Sequence, residues 1–253
     1  MNLIFDTHAH YDDAAFDDDR FDLLDRLFSE KVCGIVNQGT DLAPSKFSIA
    51  LAEQFDGMYA AVGIHPECVN ENSEKELKEI KELASHKKIA AIGEIGLDYY
   101  YDKPKDLQKR IFIAQLMMAK ELSLPVNIHD REAHGDMHAI LQQYRPKGIL
   151  HCFSGSVEMA REIVRIGMYI GMGGVVTFKN ARKAVDVIRE IPLDRLVLET
   201  DCPYLSPVPF RGKRNDSSMI QYTAEKIAEI RHTTAEEILI LTKENAEKVY
   251  QIY

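Results

Sequence analysis

Apolar residues along the 253-residue chain cluster in short runs separated by longer amphipathic stretches. The runs at 3–9, 32–36, 58–63, 89–95, 125–129, 148–152, 168–172 and 195–199 have the length and character of buried strands. Between them, apolar positions recur at helical spacing, as Phe21, Leu24, Leu27 and Phe28 do in the first interval. Further helices are predicted over 44–55, 73–85, a long stretch through 122, 133–144, 157–166 and 181–191. Ser73 with Glu76 three residues on has capping-box form. After a Pro-rich loop over 202–214 come two more helices, the last opening at Thr233 or Thr234, each with a Glu three residues later.

Eight strands alternating with helices, without linker composition, predict an α/β chain folded as a single (β/α)8 TIM-type barrel with extra C-terminal helices, one domain over 1–253. A doubly wound open sheet would bring a Gly-rich phosphate fingerprint after the first strand, and the sequence has none there.

Composition adds limits. Hydrophobic residues at 45% and charged residues at 28% suit a soluble globular chain. A net charge of −9 argues against broad adhesion to nucleic acid or anionic membrane, leaving room for a local basic patch. No apolar stretch approaches the ~20 residues a membrane span needs. Cys33, Cys68, Cys152 and Cys202 are scattered and form no disulfide framework. With no signal-like N-terminus, these features point to a reducing, cytoplasmic location. Tyr250 and Tyr253, read as exposed, are too few to mark a protein interface, so no obligate protein partner is expected.

Polar residues then fall where a barrel would use them. Barrel sites form at the C-terminal ends of strands. Strand ends make up roughly a tenth of such a chain, so about one of the nine histidines belongs there by chance. Five are placed there: His8, His10, His65, His129 and His151. Glu94 ends the fourth strand and Asp201 follows the eighth. Imidazole and carboxylate together suit a divalent transition metal. Six ligands exceed one tetrahedral ion, whereas two ions sharing Glu94 would use them all. His65 fits a substrate contact or a ligand. Alternation places Asp6, Asn127 and Glu199 inward, one step below the ligands, as residues that orient imidazoles. Arg131 and the run Arg211-Gly212-Lys213-Arg214 bring positive charge to the same mouth. Cys152 and Cys202 alternate away from the metals, into the barrel wall.

Several segments together resemble the TatD-type metal-dependent hydrolases of the amidohydrolase-like superfamily. They are Phe5-Asp6-Thr7-His8-Ala9-His10, Val62-Gly63-Ile64-His65-Pro66, Gly93-Glu94-Ile95-Gly96-Leu97-Asp98-Tyr99 and Ile128-His129-Asp130-Arg131. They continue through His151-Cys152-Phe153-Ser154-Gly155, Gly174-Val175-Val176-Thr177-Phe178-Lys179-Asn180, Glu199-Thr200-Asp201-Cys202-Pro203-Tyr204-Leu205 and Arg211-Gly212-Lys213-Arg214-Asn215. The resemblance implies a dinuclear centre of Mg, Mn or Zn. His8, His10, Glu94 and Asp201 would hold one ion, and Glu94, His129 and His151 the other. It also implies DNase activity, including 3′–5′ exonuclease action on single-stranded DNA. Asp201 would activate the attacking water, with His65, Arg131 and Arg211 as substrate contacts. The competing expectations are hydrolysis of ester or amide bonds, such as D-aminoacyl-tRNA deacylation, or of a small phosphorylated substrate. A non-catalytic metal-binding partner protein would show a degraded ligand set, and this set is complete.

Overall fold

The computed structural model describes residues 2–252. Eight strands lie parallel in the order of the sequence: β1 (Ile4–Ala9), β2 (Val32–Gln38), β3 (Met58–Val62), β4 (Ile89–Asp98), β5 (Val126–Arg131), β6 (Gly148–Leu150), β7 (Tyr169–Met172) and β8 (Leu196–Leu198). The helices between them are α1 (Arg20–Glu30), α2 (Leu42–Ala52), α3 (Ser73–Leu83), α4 (Lys105–Leu122), α5 (His134–Tyr144), α6 (Val157–Arg165) and α7 (Arg182–Glu190). The extra helices α8 (Ile220–Arg231) and α9 (Ala235–Tyr250) follow β8. This is a nearly closed (β/α)8 barrel.

The seam between β8 and β1 is closed just past the end of β8. Ala9 bridges Cys202, His8 O accepts from Asp201 N–H at 2.9 Å, and Cys202 O accepts from His10 N–H at 2.9 Å. The first and last strands therefore meet at the residues that carry His8, His10 and Asp201.

Two apolar layers hold the barrel. Ile4, Ile35, Ile92, Ile128 and Leu196 join the buried faces of the helices. Phe5, Val36, Ala61, Ala91, Ile149 and Val197 instead pack with Ala246, Val249 and Tyr250 of α9. The last helix thus plugs the barrel. Tyr250 stacks on Phe5 at 6.2 Å, and its hydroxyl donates to Thr7 O at 2.9 Å. Tyr250 is 5% exposed, which corrects its expected exposure; Tyr253 lies outside the described residues.

Other local expectations also shift. Phe21 is 47% exposed, because Leu23, Leu24 and Leu27 already form the buried stripe of α1. No capping box opens α3: Ser73 Oγ accepts from Asn70 N–H in the preceding turn. Thr234 and Glu237 do form one at α9.

Candidate metal centre

The floor of the site is set by a break in alternation. The β1–β2 register shifts between Asp6 and Ala9, so residues either side of the bulge lose their common face. Asp6 consequently points away from the ligands. It accepts from Thr200 N–H at 3.0 Å, from the Thr200 hydroxyl at 2.6 Å and from Ser217 at 2.7 Å. It also accepts the backbone N–H of His8 at 3.2 Å. Asp6 thus fixes main chain, and the expectation that it orients an imidazole is corrected. Asn127 donates to Thr7 O at 3.0 Å and to the Tyr250 hydroxyl at 3.1 Å, again touching no imidazole. Gln38 donates to the same Thr7 carbonyl at 3.2 Å. With the Tyr250 hydroxyl, these donors converge on one carbonyl and brace the bulge from below.

Glu199 differs from both. Its Oε1 accepts from Cys152 N–H at 2.5 Å and lies 4.0 Å from His151 Nδ1. Its Oε2, His8 Nδ1 and His151 Nδ1 are all buried without a hydrogen-bond partner among the described residues. The His8 and His151 rings stack at 3.8 Å, 9° from parallel. One carboxylate therefore lies beneath two imidazoles, and its burial pushes it up to about 8.

Above this floor the six candidate ligands converge. His8 Nε2 and His10 Nε2 are 3.2 Å apart, and lie 3.4 and 3.5 Å from Glu94 Oε2. Asp201 Oδ1 stands 3.7 and 3.5 Å from the same two nitrogens. The other oxygen of Glu94, Oε1, is 2.9 Å from His129 Nδ1 and 2.8 Å from His151 Nε2, which are 3.2 Å from each other. Donors bonded at about 2.1 Å to one ion stand about 3.0 Å apart at octahedral corners and about 3.4 Å at tetrahedral ones. Both sets have that spacing. Asp201 and Cys152 reach their places through left-handed backbone, φ 57° and 42°, a conformation uncommon outside glycine and concentrated at functional sites.

The electrostatics call for positive charge at this point. Burial alone would raise Glu94, but His65, His151 and His8 hold its carboxyl well below the usual range. Burial, reinforced by His151, lowers His8 to about 4. Burial also opposes protonation of His129, yet hydrogen bonds to Asp98 and Glu94 outweigh it and raise that ring to about 10. Ionised carboxylates facing imidazole nitrogens form a donor set for a divalent cation.

Sequence reasoning missed Asp98. Its Oδ2 is 2.9 Å from His129 Nε2, and the residue is 1% exposed. The fourth strand was expected to stop at residue 95, but Gly96 carries it on. At φ 148°, a Cβ on Gly96 would come within 2.0 Å of the His129 carbonyl, so only glycine lets β4 run on beside β5 to Asp98. Asp98 shares strand parity with Glu94, and that was the available signal.

His65 is buried, with Nε2 3.6 Å from Glu94 Oε1. Its Nδ1 accepts from Glu67 N–H at 3.2 Å, which leaves the proton of the neutral ring on Nε2. Burial lowers the ring to about 3, keeping it neutral. A donor Nε2–H suits an oxygen of substrate better than a metal. His10, His65, Glu94, His129, His151 and Asp201 line a cavity of about 310 Å³ together with Asp12, Asp13, Glu67 and Tyr204. A larger groove of about 650 Å³ beside Leu116, Tyr144 and Pro146 gathers no such groups. In the loop after β8, Arg214 is bound by both oxygens of Asp19 at 2.7 Å. Arg211 instead lies 4.0 Å over the Phe178 ring, and Arg131 3.8 Å over Tyr100. Cys202 is buried in the wall, whereas Cys152 is half-buried.

No helix among the described residues is long and apolar enough to cross a membrane. The family described as TatD related DNase matches residues 5–251. The uncharacterized metal-dependent hydrolase YabD of Bacillus subtilis (strain 168) is 47% identical over 254 residues, 99% of this chain and 100% of its own. The uncharacterized metal-dependent hydrolase YcfH of Escherichia coli (strain K12) is 34% identical over 257 residues, 99% of this chain and 96% of its own. The crystal structure of YjjV, a TatD homologue from Escherichia coli K12, superposes with a TM-score of 0.92 at 32% identity, covering 100% of this chain and 99% of that one. The chain therefore belongs to the TatD-related DNase family and is a metal-dependent hydrolase.

Proposed function

We propose that the protein is a cytoplasmic deoxyribonuclease that cleaves single-stranded DNA from its 3′ end, with two divalent ions at the centre. The observation that carries the two-ion reading is Glu94, whose two oxygens face separate sets of donors. His8, His10, Glu94 and Asp201 would hold one ion, and Glu94, His129 and His151 the other. Bound there, the ions lower the pKa of a water from about 15.7 towards 7 and offset charge on phosphoryl oxygens. Imidazole-rich donors favour Zn or Mn over Mg.

The protein's own groups supply the rest. Burial opposes ionisation of Asp201, but hydrogen bonding and charge from His10 and His8 keep its carboxyl below the usual range. With Oδ1 turned to those rings, Oδ2 is left to orient the attacking water and take its proton. His65 Nε2–H donates to a phosphoryl oxygen, and Arg131 and Arg211 hold neighbouring phosphates. Glu199 lies beside the unpaired Nδ1 atoms of His8 and His151, 4.0 Å from the latter, and would favour the orientation that keeps both Nε2 atoms aimed at the ions.

The test is turnover of a short single strand by protein loaded with Mn²⁺ or Zn²⁺. Asp201→Asn should melt close to the wild type when both are metal-free, and when loaded should lose about 10²–10⁴ in rate, as removal of a general base does. Near-normal cleavage by that variant would sink the assignment. A second reading, hydrolysis of an aminoacyl ester such as D-aminoacyl-tRNA, is favoured by Asp12, Asp13 and Glu67 on the cavity wall. These acids would receive an α-ammonium group. Release of amino acid without strand cleavage in a parallel assay would select it.

A further inference from the structure

Large apolar side chains left at the surface are unevenly placed. Nine are substantially exposed among the described residues, and five of them stand on the loops after β4 and β8: Tyr100, Tyr101, Tyr204, Leu205 and Val208. The other four, Phe21, Phe47, Met117 and Ile240, are scattered singly on helices, as exposed apolar residues ordinarily are. The concentration lies at the face that carries the metal centre.

Tyr100 is 58% exposed and Tyr101 43%. Their rings meet edge to face at 5.2 Å and 89°. The Arg131 guanidinium lies 3.8 Å from the first ring centre and 5.5 Å from the second; its charge bears on Asp98 and Glu67, but no carboxylate among the described residues pairs with it within 4 Å. A guanidinium backed by a ring keeps its in-plane N–H groups free for phosphate. These rings are also tied to the centre. Tyr100 N–H donates to Asp98 Oδ1 at 2.9 Å, while Asp98 Oδ2 holds His129 Nε2 at 2.9 Å. One buried carboxylate thus fixes a candidate ligand and the backbone of the first exposed ring.

We propose that Tyr100 and Tyr101, with Arg131 against them, form a stacking ledge for an unpaired nucleobase beside the phosphate bound at the metal centre; this rests on the phosphodiesterase reading above. Exposed rings interleaved with an unpaired cation match a nucleotide, which offers a π-face and an anion side by side. In a duplex both faces of an internal base are covered, so the ledge selects single strands.

The experiment is equilibrium binding of a fluorescein-labelled oligothymidylate to the full, Mn²⁺-loaded chain, with phosphorothioate linkages to slow cleavage. Tyr100→Ala should weaken binding about tenfold, the loss typical of one base–aromatic stack, with an unshifted Tm because the residue is exposed. Tyr100→Phe, which keeps the ring, should restore affinity. A strand made abasic at its 3′-terminal nucleotides should bind the wild type about tenfold more weakly and be indifferent to Tyr100→Ala. Wild-type affinity in Tyr100→Ala, or an equal loss on intact and abasic strands, overturns the ledge. Strand cleavage with no dependence on Tyr100 removes the ledge alone. Tyr100-dependent binding without cleavage supports the ledge and removes the nuclease reading. No binding by the wild type removes both.

Discussion

Asp98 holds Nε2 of His129 and thereby turns Nδ1 of the same ring towards Glu94 and His151. Carboxylates placed this way fix ring orientation and typically govern 10–100-fold in metal affinity. If two ions bind as proposed, Asp98→Ala should therefore weaken one binding step by roughly that factor, read by competition with a chelating dye, while the step involving His8 and His10 keeps its affinity. A uniform loss over both steps would mean the residue supports the fold instead. Gly171 gives a parallel case under Glu199, where an added Cβ would lie 2.4 Å from Oε2. Gly171→Ala should cost roughly 1–3 kcal/mol, the usual penalty of overpacking, measured as a lower urea midpoint at constant m. Such close approaches belong to facing strands, which is why they leave no trace in local sequence. The ligand candidates were legible for the opposite reason: His-x-His and strand-end carboxylates are local patterns.

At the scale of elements, the same four-residue pattern has two outcomes. Thr234 accepts Glu237 N–H at 3.2 Å while Glu237 reaches back to Thr234 N–H at 3.2 Å. Ser73 is instead the first residue of its helix and bonds backwards into the turn. Thr234→Ala should cost about 1 kcal/mol in chemical denaturation, as loss of an N-cap does; no change would mean that α9 is held by packing of Ala246 and Tyr250 alone. The order of strands and helices was legible because each has its own hydrophobic period. The bulge in β1 was not, since one irregular residue reverses facing without changing composition. Asp6 was accordingly assigned to the wrong side. Tyr250 shows the same limit in a helix: its ring reads as a surface aromatic until the barrel end it fills is known.

Across the whole molecule, the centre lies on the weakest circumferential join. β8 and β1 share a single isolated bridge, Ala9 with Cys202, and a few backbone hydrogen bonds around it. His8 and His10 stand on one side of that join and Asp201 on the other, 3.5–3.7 Å away. An ion held by all three would staple the first strand to the last, linking chain segments almost 200 residues apart. Binding to the folded state alone stabilises it by RT ln(1 + [L]/Kd), about 2.7 kcal/mol at a hundredfold excess over Kd. Chelated protein should therefore remain folded but melt several degrees lower, with Tm rising with the logarithm of added Mn²⁺ or Zn²⁺. His8→Ala should flatten that dependence, because it removes a donor from the seam, whereas Lys81→Ala, on an exposed ion pair with Glu121, should leave it intact. Calorimetry across a metal titration is the measurement. A Tm independent of metal would exclude the staple, and a shift unchanged in His8→Ala would place the stabilising ion elsewhere than at the join of β1 and β8.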